Sequence, residues 1–121
     1  VESLGVDTTV VSVSTPTTAM VDEWDGTKFR AAKYFLTVTD LDTNDDGTGS
    51  DPSFLAVEAM MVHNGSTSSI TVYGEVSAGI GAVTEASFST QYDNSNNKCR
   101  LNVTTTTNNC TIKASRLALT S

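Results

Sequence analysis

The chain has 121 residues, a formal net charge of −7 and a pI of about 4.3, so its electrostatic field repels nucleic acids and anionic membrane surfaces. Threonine and serine make up 34 of the 121 residues, 20 and 14 respectively, and β-branched threonine favours pleated strands over helices. No apolar run approaches the ~20 residues that a membrane helix needs, and no signal peptide is recognisable. Together with the negative charge, these observations mean that neither a membrane nor a nucleic acid is expected as a partner.

Strand patterns begin near the N-terminus. A threonine–valine run predicts a first strand over 8–14, and a shorter run predicts a second over 18–24, which ends at the turn dipeptide Asp25-Gly26. The third strand is predicted over 28–41. Its apolar residues change face near Ala31-Ala32, which indicates a bulge or a bend between sheets.

The most apolar segment, 54–63, is predicted to be a central strand buried on both faces, although several of its residues are helix formers. It ends at Asn64-Gly65, a strong hairpin signal, and the next strand is predicted over 66–76. Pairing about this turn would place Glu58 near Thr71.

Three further strands complete the pattern, and they are predicted over 81–92, 98–104 and 110–119. About eight strands joined by short polar turns, with no helix between them, indicate an all-β fold. The expected architecture is an antiparallel β-sandwich, jelly-roll-like, with residues 1–121 forming a single domain that can be part of a longer chain.

Cys99 and Cys110 flank a segment that is predicted to form a hairpin. A turn centred on Thr104-Thr105 would bring the two cysteines within disulfide reach. A turn nearer Asn108-Asn109 would offset them along the strands and leave two small buried thiols. Both alternatives are open at the level of the sequence.

Short motifs follow one another in a fixed order: Arg30-x-x-Lys33-Tyr34, His63-Asn64-Gly65, Tyr73-Gly74, Arg100-Leu-x-Val-Thr104 and Thr111-Ile-Lys113. In this order they resemble a small β domain of tailed bacteriophages, especially cyanophages and their marine relatives. That domain occurs in virion structural and fibre-like proteins. The resemblance covers roughly residues 27 to 119. The acidic segment 42–51 and the two cysteines depart from the pattern.

The resemblance implies a non-enzymatic structural protein of the virion, either a capsid decoration or part of a fibre or neck appendage. Its partners would be further copies of itself, in a homo-oligomer, and other virion proteins. It implies no catalytic residues and no cofactor. Two alternatives remain: a module that binds host glycans, and a bacterial surface or filament subunit in which an intrachain disulfide would make sense.

The segment 42–51, DTNDDGTGSD, begins like a calcium loop. Asp42, Asn44 and Asp46 occupy the first three alternating ligand places, and Gly47 follows at the sixth. Ser53 stands where the loop needs a bidentate glutamate, so a solvated acidic turn is the preferred interpretation and calcium the alternative. A bound calcium would stiffen the loop and perform no catalysis.

His63 is the only histidine, and no Gly-x-Ser-x-Gly motif accompanies it, so it is interpreted as a polar residue at the end of a strand. Core or interface packing is preferred over a sugar-stacking platform for four scattered aromatic residues, namely Trp24, Tyr34, Tyr73 and Tyr92. The basic residues are predicted to lie on solvated strand faces in two groups: Lys28, Arg30 and Lys33; and Lys98, Arg100, Lys113 and Arg116.

Overall fold

A computed structural model describes residues 4–42, 52–79 and 86–120. All regular secondary structure in these ranges is β-strand, which confirms the all-β prediction. The eight strands are β1 (Leu4–Val13), β2 (Thr18–Asp25), β3 (Ala31–Asp40), β4 (Ser53–His63), β5 (Ser68–Gly79), β6 (Ala86–Asp93), β7 (Lys98–Thr105) and β8 (Cys110–Leu119). None of the described residues forms a helix that could cross a membrane.

The strands form two antiparallel sheets that pack as a sandwich. One sheet has five strands in the order β1-β8-β3-β4-β5, and the other has three in the order β2-β7-β6. The first strand pairs with the last and the second with the seventh, which is the nested, jelly-roll-like part of the fold. Strands β3, β4 and β5 form a meander.

The third strand starts later than its sequence pattern predicts. Residues 28–30 belong to a turn, in which the N–H groups of Lys28 and Phe29 donate to the Asp25 carbonyl at 3.1 and 3.0 Å. Phe29 is buried in this turn, and β3 begins at Ala31. The change of face near Ala31 therefore marks the bend by which the chain passes from the three-stranded to the five-stranded sheet, so of the two predicted alternatives the bend is found and the bulge is not.

The bulges occur at two other places. In β2 the register shifts between Met20 and Asp22, so that both Val21 and Asp22 turn to the interior. In the pairing of β4 with β5, the register shifts between Ala56 and Glu58. Glu58 lies opposite Tyr73 and not near Thr71, because the loop that joins β4 and β5 spans the four residues 64–67, so that pairing starts at His63 and Ser68.

The core lies between the two sheets. It is filled by the inward-facing side chains of strands along which buried and exposed positions alternate strictly. Leu36 and Val38 of β3 pack with Ile112 of β8 from one side. Leu101 and Val103 of β7 complete the layer from the other side. The alternation in these strands explains why the sequence pattern located them so well.

The segment from β7 to β8 is a crossover between the sheets, so the predicted hairpin is wrong. At ~3.3 Å per residue, about 20 Å of β7 separate Cys99 from Thr105, and Cys110 lies beyond that end. A disulfide between Cys99 and Cys110 is therefore out of reach within one chain. Both cysteines are buried as thiols and not as a disulfide, and burial raises the pKa of Cys99.

Candidate functional site

The five-stranded sheet has one face that no described element covers, and we call it the outer face. Inward and outward side chains alternate along each strand, and the registers align the outward ones in rows across the sheet. One row contains Val6, Leu117, Lys33, Met60 and Thr71. The next contains Thr8, Ser115, Phe35, Glu58 and Tyr73. Phe35 thus lies on the middle strand, near the centre of the face.

Large apolar side chains dominate the outer face. Nine of them are each at least 41% exposed: Val6, Val10, Phe35, Phe54, Met60, Val62, Val76, Leu117 and Leu119. The strand 54–63 is central in its sheet, but Phe54, Met60 and Val62 show that it is buried on one face only, against the prediction. Monomeric soluble proteins seldom expose apolar patches of this extent, which usually mark an interaction site.

The outer face carries little charge. Lys33 and Glu58 are neighbours on β3 and β4 and form an exposed ion pair, Nζ to Oε1, of 3.7 Å. Lys113 is the third charged residue on this face. A groove of about 510 Å³ crosses the end of the face that contains Ala31, between Leu117 and Met60. Such a surface suits docking, because it offers apolar area and a recess without a cluster of reactive groups.

A buried polar network joins the two sheets behind the outer face. Tyr34 and Arg116 lie opposite each other on β3 and β8, and both reach Asp22 on β2. The Tyr34 hydroxyl donates to the Asp22 carboxylate at 2.8 Å, and the Arg116 guanidinium donates to the same oxygen at 2.9 Å. Burial, together with the Asp22 charge, raises the pKa of Tyr34 above its usual range. Arg116 was predicted on a solvated face, and this placement is wrong.

His63 has a structural position at the end of β4, as predicted, although it is buried. Its Nε2 lies 2.7 Å from the Phe29 carbonyl oxygen, and its Nδ1 accepts the Gly65 N–H at 3.0 Å. These bonds define the neutral tautomer protonated on Nε2. The ring packs between Trp24 and Tyr92, at centroid distances of 5.2 and 4.8 Å. Both ring nitrogens are thus engaged in holding the turn.

The Asn64-Gly65 dipeptide forms the predicted hairpin turn. The Asn64 side-chain carbonyl accepts the N–H groups of Ser66 and Thr67 at 3.0 and 2.8 Å, and Gly65 adopts a φ of 95°. A positive φ favours glycine, which accounts for the dipeptide. The His63-Asn64-Gly65 motif therefore builds a turn and offers no free reactive group.

Three of the four aromatic residues considered from the sequence pack in the core. Trp24, Tyr34 and Tyr92 are 3%, 0% and 9% exposed, while Tyr73 is half-buried on the outer face. Three of the four rings are therefore hidden from solvent, and these four residues form no common platform for a sugar.

Of the three weak candidates for metal ligands, the structure describes only Asp42. Asn44 and Asp46 lie outside the described residues. The N–H of Asp42 donates to the buried carboxylate of Asp40 at 2.9 Å, and the Thr107 hydroxyl donates to the same carboxylate. Within the described ranges no three histidine, cysteine or acidic residues come together as a metal site.

Sequence patterns missed the outer face because its residues look like core residues. In 54–63 both alternating sets are largely apolar, so the pattern indicates burial on both sides. The one available signal lies in β3, where Lys33 accompanies Phe35 on one face while the other face holds Tyr34 and Leu36.

No protein-family model matches the chain, and no curated protein matches it. Among solved structures, the chain is similar to part of the tailspike protein of Acinetobacter baumannii phage AM24, with a TM-score of 0.55 and 7% identity over 98% of this chain. It spans 26% of that tailspike. This likeness concerns the fold alone.

Two other tailspikes show weaker similarity. The tailspike of Acinetobacter phage vB_ApiP_P1 gives a TM-score of 0.46 at 16% identity, over 97% of this chain and 22% of the tailspike. That of A. baumannii phage Fri1, a capsular polysaccharide depolymerase, gives 0.45 at 11% identity, over 98% of this chain and 18% of the tailspike. With a TM-score above 0.5, the chain shares its fold with about a quarter of the AM24 tailspike.

Proposed function

We propose that this chain is a structural β-sandwich module of a tailed-phage appendage, a fibre or a tailspike, and that it works by self-association and docking on other virion proteins. The observation that carries the proposal is the exposed apolar outer face. The fold shared with part of the AM24 tailspike supports the phage setting, and so does the ordered set of motifs that resembles phage β domains.

The outer face is large enough to hold a second copy of the chain. Five strands ~4.8 Å apart, with five outward positions per strand ~6.8 Å apart, span on the order of 800 Å². A standard protein–protein interface buries about 800 Å² on each partner. Sheet-on-sheet packing through this face would remove its apolar side chains from water, as the inner face already does within the sandwich.

The proposed role is non-enzymatic and needs no cofactor. His63, the only histidine, uses both ring nitrogens to hold a turn. Calcium is not part of the proposal either.

We expect the melting temperature of the chain to be the same in excess calcium and in excess chelator, for the wild type and for Asp42→Ala. A rise of several degrees with calcium in the wild type alone would assign a structural ion to the 42–51 segment.

The test of the proposed function is the molar mass of the chain in solution and its response to one charge on the outer face. We expect the purified chain to self-associate in sedimentation experiments, and Met60→Lys to weaken association by at least about tenfold, because an unpaired charge would become buried. Met20→Lys is the matched control, since Met20 is 48% exposed and Met60 50%, but Met20 lies on the three-stranded sheet.

If Met20→Lys and Met60→Lys weakened self-association equally, the effect of the charge would be non-specific, and the outer face could no longer be assigned as the interface. A strict monomer at every concentration would contradict self-association itself.

A further inference from the structure

Strand β1 is an edge strand with little of the usual protection, namely one charged residue, Asp7, whose carboxylate accepts the Thr8 N–H at 2.8 Å. It has ten residues, pairs with β8 at every position without a bulge, and contains neither proline nor lysine. Among the described residues, no strand pairs with its other side. Natural proteins generally protect such edges, because the free N–H and C=O groups are a template for another strand.

The other edge strands each carry some protection. The β5 edge is interrupted by the bulge at Gly74, where φ is +67°, and Glu75 follows it. The β2 edge is interrupted by the bulge at Val21, beside Asp22. The β6 edge is short, with eight residues. The long and regular β1 therefore stands out as the edge best suited to accept a strand.

A second and independent observation concerns the inward side of β1. The Thr9 hydroxyl is buried and has no hydrogen-bond partner in the described structure. Asp7, on the same side of the strand, lies 3.8 Å from the Arg116 guanidinium and is half exposed. A buried hydroxyl without a partner is costly, so a rotation of the Thr9 side chain that turns its hydroxyl to an acceptor at the free edge of β1 would be favourable.

We propose that β1 pairs antiparallel with β1 of a second copy, about a two-fold axis that passes through Thr8. The two five-stranded sheets then become one continuous ten-stranded sheet. This contact rests on the self-association of the proposed function, but it uses the strand edge and not the outer face.

The register follows from symmetry and charge. A two-fold axis perpendicular to the sheet keeps the inward side chains of both copies on the same side of the sheet. An inward residue of one β1 can therefore lie opposite only an inward residue of the other β1, and the same holds for outward residues. An axis at Asp7 would set two carboxylates opposite each other, which is unfavourable. An axis at Thr9 would set Asp7 against the apolar Val11 of the partner.

An axis at Thr8 avoids both conflicts. It places Asp7 opposite Thr9 of the partner, so that each carboxylate can accept the hydrogen bond of a hydroxyl that has no partner in the single chain. On the outer side it places Val6 opposite Val10 of the partner, and these two are 69% and 60% exposed in the single chain. The β1 edge is therefore self-complementary, which is why we commit to a second copy as the occupant.

Cysteine substitution tests the register directly. Three variants are compared under mild oxidation: Thr8→Cys, Asp7→Cys and Thr9→Cys. We expect a disulfide-linked dimer only from Thr8→Cys, because residues 7 and 9 would each lie about 8 Å from their own copies, beyond disulfide reach. The native thiols are buried and serve as an internal background. A dimer from either neighbouring variant in place of Thr8→Cys would overturn the register.

A charge on the axis tests the interface itself. Thr8→Lys would bring two ammonium groups together, and we expect it to weaken the dimer by at least about tenfold. Thr18→Lys is the matched control, an exposed threonine on β2 of the three-stranded sheet, away from both the β1 edge and the outer face. Association that survives Thr8→Lys but is lost in Met60→Lys would overturn the β1 pairing and leave the proposed function standing. The reverse result would support the pairing and remove the outer face as the main contact.

Discussion

Replacing Asp22 with asparagine is expected to lower the free energy of unfolding by about 3–5 kcal/mol, the range for breaking a buried ion pair by removing one partner. Arg116 and Asp22 have side chains only 11% and 6% exposed, and their atoms lie 2.9 Å apart between the sheets. Asparagine preserves the shape of the site but leaves the Arg116 charge buried without its nearest counter-ion. The Tyr34 hydroxyl also loses a charged acceptor.

Urea unfolding followed by circular dichroism measures this effect, and Glu58→Gln is the control. Lys33 and Glu58 also form an ion pair, but their side chains are 50% and 39% exposed. Exposed pairs of this kind contribute about 0–1 kcal/mol, so the control variant should unfold almost like the wild type. Similar losses in Asp22→Asn and Glu58→Gln would mean that burial of the network has no special effect on stability.

Replacing Trp24 with alanine is expected to lower the free energy of unfolding by about 3–5 kcal/mol, because a large buried side chain is lost and a cavity remains. Trp24 is 3% exposed and packs against the His63 ring. Removing it would open the space between β2 and the turn that follows β4. The prediction also separates two functions, since an exposed sugar-stacking tryptophan would affect binding with little change in stability.

Thermal and urea unfolding of Trp24→Ala provide the measurement, and Met20→Ala provides a control on the same strand. Met20 is 48% exposed, so its truncation should change the free energy of unfolding by no more than about 1 kcal/mol. A Trp24→Ala variant as stable as Met20→Ala would contradict the core position of Trp24. That result would favour the alternative hypothesis, in which the aromatic residues form a sugar-binding surface.

The number and kind of elements could be predicted from the sequence because the signals are local. Alternation of apolar and polar residues identified 98–104 and 110–119 as strands, and the Asn64-Gly65 turn located the β4–β5 hairpin. Local turn chemistry and side-chain period act within a few residues, so a single sequence contains them in full.

The pairing of the strands could not be predicted in the same way. Cys99 and Cys110 flank a short connection that resembles a hairpin, yet β7 and β8 enter different sheets. Whether a short connection returns to the same sheet or crosses to the other depends on which partners bury more surface, and those partners are far away in the chain. The register error at Glu58 has a local cause, because the connection is a four-residue loop, 64–67, and not a two-residue turn at Asn64-Gly65, so every pair up to Glu58 and Tyr73 is shifted.

The candidate site was hidden for a physical reason as well. Phe54, Met60 and Val62 have the composition of a strand buried on both faces, and only the absence of a covering layer in the described structure makes them exposed. The buried ion pair of Asp22 and Arg116 was missed because the two residues are 94 positions apart and neither has a local pattern that differs from a surface charge.

The pairing of the first strand with the last has a consequence for how this sandwich can be used within a larger architecture. Leu4 lies opposite Leu119, so β1 begins beside the place where β8 ends. Polypeptide that continues in either direction therefore leaves from the same corner of the sandwich. A domain with neighbouring entry and exit points can be inserted into a surface loop of another domain with little distortion of either, and it also tolerates circular permutation.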